Sequence, residues 1–317
     1  MRGLFVISET NEMHKHFESF AELGHTYTTF TYDYRGRAES LRSYKLDAAV
    51  KEAALAAKPD VIVYIGACAG NIPSTSLWCE LRETVAPTVH LVSDAADEPW
   101  WFLLQEYDAQ GAFTVLCTMD GNPDWPNSKK HITGLTPVPL AYYPEPIPHA
   151  DRKMVFGFAG NCGNHHVNKD GTKTGRMWMV EPMRQFGLQT RQRGTDKDGY
   201  DGYKDAAEFN RQSRITVNFP RTGSYERFHV KGRVIEAGMA GCLLLEQKGS
   251  PTPLWFTPGT DYLEWQTADE VRWMVEHYAK HPEESQAIGW NLRAKVMAQH
   301  TPAHFWQRIF DKAELKA

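Results

Sequence analysis

Three charged side chains within six residues are the part of this sequence best suited to chemistry. Lys231 and Arg233 supply two cations and Glu236 supplies a carboxylate, in a stretch whose apolar residues recur at helical spacing. Cations suit the phosphates of a diphosphate, and a carboxylate is a good acceptor for the two hydroxyls of a ribose. The pattern therefore predicts one helix surface that binds both halves of a nucleotide. The alternative is a solvated amphipathic helix whose charged residues face water.

The elements that must position these residues are a helix, a strand and an upstream loop. The run 225–246 is interpreted as one helix that stops at Gly241, where a left-handed residue is commonly required, followed by a buried strand. An apolar strand at 154–158 leads into a loop rich in glycine and asparagine. Because loops at the carboxyl ends of parallel strands often bind ligands, we expect this loop to lie at the same site.

Five more residues are candidates for that site because they follow predicted strands. Gly160 and Asn161 stand where the chain first turns, so their N–H groups can approach a phosphate or a sugar hydroxyl; an ordinary turn is the alternative. Arg176, early in the next helix, is either a phosphate contact or a surface residue. Phe219 and Arg221 follow the next strand, where Arg221 can stack on a base or contact phosphate.

The order of these motifs resembles the C-terminal half of group 1 glycosyltransferases. The resemblance is carried by R-x-x-E-A-x-x-x-G from Arg233 to Gly241, by the apolar strand after it, and by PLWFTPGTDYLEW with the helices that follow. It covers roughly residues 153–310 and looks most like the spore-maturation, or CgeB-like, branch. The resemblance implies that Lys231 and Arg233 hold a diphosphate and that Glu236 binds the ribose hydroxyls.

The resemblance also implies a fold and an activity. The fold is α/β, with two doubly wound Rossmann-like domains facing each other across a cleft, a GT-B-like architecture. The activity is transfer of a sugar from a nucleotide diphosphate-sugar, a UDP-sugar being favoured, to a hydroxyl acceptor without a metal or another cofactor. Many retaining members carry a glutamate where this chain has Phe228, so the stereochemical outcome stays open.

The acceptor and two other functions stay open at this point. A polysaccharide, a small molecule, a protein side chain and a hydroxylated nucleobase of phage-type modified DNA all offer an acceptor hydroxyl. A nucleotide-sugar epimerase and a non-catalytic nucleotide-sugar binding module are the alternatives on the same fold.

Length and pattern predict two domains. A chain of 317 residues exceeds the size at which a single core usually keeps growing. Alternating strand and helix patterns in the first half, with a last strand near Val138, indicate a parallel sheet. The proline-rich YYPEPIPHADRK is the best linker, which gives an acceptor-side domain at 1–148 and a donor domain at 149–317. The last helix is a candidate to pack back on the first domain, and 255–265 is predicted to be a loop.

A catalytic base is expected in the first domain, because in such transferases the acceptor domain faces the anomeric carbon of the donor. Asp94 is the first choice, since it lies in an acidic loop after a predicted strand and a carboxylate can accept the hydroxyl proton. Helix capping is the alternative for this acidic loop. Glu9 and His14, which follow the first strand, are the other candidates. A third loop, GACAGN at 66–71, contains no general base.

Composition and charge limit the classes of partner that we expect this protein to bind. Residues 1–150 contain 11 Lys+Arg and 19 Asp+Glu and the remainder 24 and 20, so the basic half carries the predicted phosphate site. This favours an anionic donor, and it leaves nucleic acid as a partner that the charge does not indicate. The absence of an apolar run of roughly 20 residues predicts no membrane insertion. Five cysteines without a C-x-x-C pair predict a reduced, cytoplasmic protein. No metal site is predicted, because DKD at 196–198 lacks the flanking apolar strand of a metal-binding D-x-D motif.

Overall fold

The structure is a computed structural model of the chain. It describes residues 1–8, 14–33, 43–66, 70–93, 95, 98–121, 131–163, 167, 169–171, 173, 175–191, 201–221 and 227–315. The chain divides into two compact units, one formed by Met1–Pro137 with Pro302–Ala317 and the other by Val138–Thr301.

A six-stranded parallel sheet forms the centre of the first unit. Its strands are β1 (Arg2–Ser8), β2 (Thr26–Tyr32), β3 (Val61–Ile65), β4 (Thr88–Val92), β5 (Val115–Thr118) and β6 (His131–Thr133), in the order β2-β1-β3-β4-β5-β6. Its helices include α1 (His14–Ala21), α2 (Ser43–Ala57), α3 (Thr75–Thr84) and α4 (Glu98–Ala109). The prediction of a last strand near Val138 is wrong. Pro137 and Pro139 flank that residue and have no N–H to donate to a ladder, so the strand lies earlier, at β6.

A five-stranded parallel sheet forms the centre of the second unit. Its strands are β7 (Met154–Ala159), β8 (Gln189–Arg191), β9 (Ser213–Asn218), β10 (Leu243–Gln247) and β11 (Leu263–Trp265), in the order β11-β10-β9-β7-β8. Its helices include α5 (Met177–Gln185), α6 (Asp201–Gln212), α7 (Gly232–Ala240), α8 (Ala268–Lys280) and α9 (Pro282–Gln299). The predicted fold class, two doubly wound parallel sheets covered by helices, is confirmed. The loop predicted at 255–265 contains β11, a strand too short to show a pattern in sequence.

The helix predicted within 225–246 is shorter than the pattern indicated. It begins at Gly232, because Lys231 is still extended with φ −72° and ψ 150°. The residues before it run back along the end of β9, where Arg221 bridges to Phe228 and the N–H of His229 donates to the carbonyl of Pro220 at 3.1 Å. The predicted stop is confirmed, since Gly241 is left-handed with φ 66°.

The final helix and the proline-rich stretch both pack against other elements of the chain. The final helix α10 (Pro302–Lys312) belongs to the first unit, where the indole Nε1 of Trp306 donates to Ser19 Oγ at 2.9 Å. The proline-rich stretch assigned as the linker contains a fully buried His149, whose ring nitrogens lie 2.7 Å from Ser285 Oγ and 2.8 Å from the carbonyl oxygen of Gly241. No helix in the described part of the chain combines the length and apolar character needed to cross a bilayer.

Candidate functional site

The carboxyl edge of the second sheet brings the candidate residues together. The strand order reverses at β7, because β8 lies on one side of it and β9, the next strand along the chain, lies on the other. The loops after β7 and β9 leave this edge side by side, and α7 begins at the same edge because it connects β9 to β10. In doubly wound sheets this reversal point is where ligands bind.

Arg233 lies across the end of β7. Its Nε donates to the carbonyl of Ala159 and its Nη1 to Asn218 Oδ1, both at 3.0 Å, and its guanidinium carbon is 4.7 Å from the centre of the Phe158 ring. A β-carbon at Gly160 would lie 2.6 Å from Arg233 Nη2, so the guanidinium fills the space that a side chain at position 160 would need. Because Gly160 has no side chain, the guanidinium of Arg233 can occupy this space.

Arg176 approaches the same aromatic ring. Its Nη1 donates to the carbonyl of Asn161, and its guanidinium carbon lies 5.8 Å from the ring centre of Phe158 and 5.6 Å from that of Phe219. Arg176 immediately precedes α5. Two guanidinium groups from different elements thus lie over one buried ring at the end of β7, an arrangement that suits a phosphate.

Lys231 and Glu236 lie at the beginning and in the middle of α7. Lys231 is the residue just before the helix and is partly buried, whereas only 2 % of Glu236 is exposed. A solvated helix face, the alternative to a binding surface, does not fit a carboxylate buried to this degree. Lys231 therefore lies where α7 begins at the carboxyl edge of the sheet, and Glu236 is buried further along the same helix.

A cavity of about 120 Å³ opens beside Arg176 and Phe219. Within it, Lys173 Nζ lies 4.4 Å from the centre of the Trp178 ring, and Arg221 has its guanidinium carbon 5.0 Å from the centre of the Phe228 ring. The volume is below the ≈ 300 Å³ typical of a whole-ligand pocket, so it suits part of a ligand, such as an aromatic base. The residues that line it are Lys173, Gly175, Arg176, Trp178, Met179, Phe219, Arg221 and Gln247.

The buried carboxylate of Glu246, which is linked to Arg233 through Asn218, was not predicted. Glu246, 1 % exposed, accepts from Asn218 Nδ2 at 2.7 Å and from Thr252 Oγ1 at 3.2 Å. Burial raises the pKa of this carboxyl to about 7, and hydrogen bonds from Asn218, Ser250 and Thr252 together with the charge of Arg233 oppose that rise. The available signal was a glutamate inside the apolar run LLLEQ, because an ionisable residue in a buried strand needs partners.

The predicted catalytic residues lie mostly outside the described part of the chain. Asp94 and Glu9 fall outside it, as does DKD at 196–198, and His14 is described only as the first residue of α1. Their roles remain predictions. Among the described cysteines, Cys79, Cys117, Cys162 and Cys242 are free, and the reduced state expected from the sequence stays a prediction.

Residues 175–311 match the family model described as "Glycosyl transferase-like". The matched segment contains Arg176, Phe219, Lys231 and α7, together with β8 to β11, whereas β7 and Gly160 precede it. This segment, which is less than half of the chain, is therefore similar to the glycosyltransferase family that the model describes. Comparison of the sequence with curated proteins finds no match.

Solved structures of glycosyltransferases share the fold along the whole chain. HepE from Anabaena in complex with UDP and glucose is similar with a TM-score of 0.62 and 8 % identity, over 98 % of this chain and 99 % of that one. Sucrose-phosphate synthase from Thermosynechococcus elongatus has a TM-score of 0.63 at 11 % identity, over 98 % and 99 %. An α-glucosyltransferase in complex with UDP and a 13-mer DNA with a central A:G mismatch has a TM-score of 0.64 at 10 % identity, over 99 % and 100 %. At such identities the likeness establishes the fold, which is that of the GT-B glycosyltransferases.

Proposed function

We propose that this protein transfers a sugar from a UDP-sugar to a hydroxyl acceptor. The observation that carries the proposal is the anchored guanidinium of Arg233, which is held over Gly160 at the reversal point of the second sheet. A UDP-sugar is favoured because similar folds hold UDP-glucose in Anabaena HepE and UDP in the α-glucosyltransferase. Membership of the spore-maturation branch is part of this proposal.

The proposed donor roles follow from position and charge. Arg233 and Lys231 bind the diphosphate, Arg176 adds a third cation, and the N-terminus of α7 adds its partial positive charge. Glu236 accepts hydrogen bonds from the ribose hydroxyls. The cavity beside Phe219 and Arg221 takes the base, while the N–H group of Asn161 approaches a phosphate or a sugar hydroxyl. The N–H group of Gly160 instead donates to the carbonyl of Arg191 at 2.9 Å, so Gly160 contributes the space for Arg233.

The proposed reaction is a displacement at the anomeric carbon. The acceptor oxygen bonds to that carbon as the bond to the diphosphate oxygen breaks, and the departing UDP carries away the electron pair. Cationic side chains already positioned at the leaving group lower the energy of the developing charge, so we propose that no metal is required. Asp94 takes the acceptor proton, with Glu9 and His14 as the other candidate bases.

We propose that the enzyme is cytoplasmic, and experiments on acceptor classes will identify its acceptor. The structure of the α-glucosyltransferase is a complex with DNA, so a hydroxylated nucleobase is one class of acceptor to test. The excess of acidic residues in the first 150 residues gives no support to a polyanion over a polysaccharide or a small molecule.

Release of UDP from a panel of UDP-sugars, with and without candidate acceptors, tests the proposal. We expect UDP release that increases when an acceptor is added, and Asp94→Asn should lower kcat by roughly 10²-fold while leaving UDP affinity unchanged. Sugar inversion without an acceptor would instead indicate an epimerase. Binding without turnover would indicate a non-catalytic module, and full activity of Asp94→Asn would move the base to Glu9 or His14.

Substitution of Gly160 tests the geometry of the donor site. In Gly160→Ala the new methyl group overlaps the guanidinium of Arg233, so we expect Arg233 to shift and turnover to fall by about 10²-fold. Gly187→Ala is the matched control, because Gly187 also has a positive φ, 100°, but a β-carbon there meets nothing within 4 Å. Equal loss of activity in both variants would show that general strain, not displacement of Arg233, causes the effect.

A further inference from the structure

A chain of hydrogen bonds connects the buried carboxylate of Glu246 to the cation at the donor site. Glu246 Oε2 accepts from Asn218 Nδ2 at 2.7 Å, and Asn218 Oδ1 accepts from Arg233 Nη1 at 3.0 Å. The three side chains come from β10, β9 and α7, which the parallel sheet brings together at its carboxyl edge. Each member is buried or partly buried, so water competes little for these bonds.

The charges at the two ends of this chain determine how the amide of Asn218 is oriented. An ionised carboxylate only accepts hydrogen bonds and a guanidinium only donates them. The NH₂ group of Asn218 must therefore face Glu246 and its carbonyl oxygen must face Arg233. The reverse orientation would place the NH₂ group against the guanidinium and would break both bonds.

We propose that Glu246 is a positioning residue for the donor site, holding Arg233 in place through the amide of Asn218. This inference rests on the proposed function, because it takes the ligand of Arg233 to be the diphosphate of the donor. Glu246 itself contacts no substrate in this scheme. It acts by keeping Asn218 Oδ1, which accepts from Arg233 Nη1, in its orientation. The guanidinium is then already ordered before the diphosphate binds, so it loses less conformational freedom on binding.

The ionisation of Glu246 gives this inference a pH dependence. Its pKa of about 7 means that the carboxylate is present above neutral pH and becomes protonated as the pH falls below it. A protonated carboxyl donates from one oxygen and accepts weakly at the other, so it no longer fixes the amide of Asn218. We therefore expect affinity for UDP to decrease as the pH falls through neutrality.

Other charged groups around Glu246 do not reverse that expectation. Arg233 on α7 faces it through Asn218 and lowers its pKa. Tyr262, just before β11, also lies within its electrostatic reach and is itself buried, with a phenol pKa raised well above the usual range by burial and by nearby acidic groups. Among those groups, Asp261 is paired with Lys295 at 3.2 Å.

The test compares UDP binding by the wild-type chain, Glu246→Gln and Glu246→Ala, by isothermal titration calorimetry at about pH 8 and about pH 6. Glu246→Ala should weaken binding about tenfold at the higher pH, since Asn218 loses its acceptor. Glu246→Gln has the shape of the carboxyl group without its charge, so at the higher pH it should bind UDP more weakly than the wild-type chain and more tightly than Glu246→Ala. Protonation of UDP itself changes the Kd of both proteins equally, so it cancels in the ratio of the wild-type Kd to the Kd of Glu246→Gln. This ratio should rise when the pH is lowered.

A double-mutant cycle separates positioning from packing. Asn218→Ala should weaken UDP binding as much as Glu246→Ala, and the double variant should be no weaker than either single one. A lower melting temperature with unchanged UDP affinity would overturn the inference, as would a ratio that falls on acidification, which indicates simple repulsion between carboxylate and diphosphate. Wild-type protein that binds UDP at neither pH would overturn the proposed function itself and this inference with it.

Discussion

Replacing Arg233 with alanine is expected to lower kcat/KM for the UDP-sugar by roughly 10²- to 10³-fold, the loss typical of removing one donor that stabilises developing negative charge. The guanidinium is already held by Ala159 and Asn218 before any ligand arrives, so it needs little reorganisation when the diphosphate departs. Its position over Gly160 places it at the point where the strand order reverses. The effect of removing this one partly buried cation should therefore be large.

Steady-state kinetics and UDP titration measure this loss. Arg233→Lys should recover little of the activity, because an ammonium group cannot donate to Ala159 and Asn218 in the same plane and still bind phosphate. Arg272→Ala is the matched control, since Arg272 is an exposed arginine on α8 that stacks on Phe186. Wild-type kinetics in Arg233→Ala, or an equal defect in Arg272→Ala, would contradict the assigned role.

The second large effect is expected at Arg152, a buried cation that closes the far end of α7. Only 3 % of Arg152 is exposed, and its Nη2 donates to the carbonyl of Ala240, the last residue of that helix, at 2.7 Å and to that of Gly241, which follows it, at 3.2 Å. Its Nη1 and Nε donate to the carbonyls of Ser213 at 2.6 Å and Ile147 at 2.8 Å. Helix C-terminal carbonyls lack intrahelical donors, and a cation there also interacts favourably with the helix dipole.

We expect Arg152→Met to reduce the free energy of unfolding by about 3 kcal/mol or more, because buried carbonyl groups lose their donors. Methionine fills similar space without a polar head, so lost hydrogen bonding should dominate over a cavity. The carbonyl of Gly241 keeps its contact with His149, which limits the loss at that position. Urea unfolding gives the size of the effect.

Hydrogen exchange of peptides covering α7 and β10 should localise the loss to the end of the helix. Arg214→Met is the matched control, since Arg214 is only partly buried and donates to the carbonyl of Ala150 at 3.4 Å. If both variants are equally stable, the buried guanidinium does not secure α7.

Local patterns were sufficient to predict most elements and part of the site. Helices α8 and α9 can be predicted from local sequence, because both have long helical patterns and α8 has a Thr267–Glu270 capping box. The stop at Gly241 was also predictable, since glycine is favoured where a helix ends left-handed. The start of α7 was not, because the bridge between Arg221 and Phe228, which precedes the helix, forms only in the folded chain.

The sequence by itself determined the fold class and the types of charged residue at the site, since both follow from short-range patterns of apolar and charged residues. Only the tertiary structure decided which atoms meet. Residues 160, 218, 233 and 246 are far apart in the chain, and the order of the parallel strands brings them to one edge. Whether a charged residue such as Glu236 or Glu246 is buried also depends on packing between elements, which local sequence does not encode.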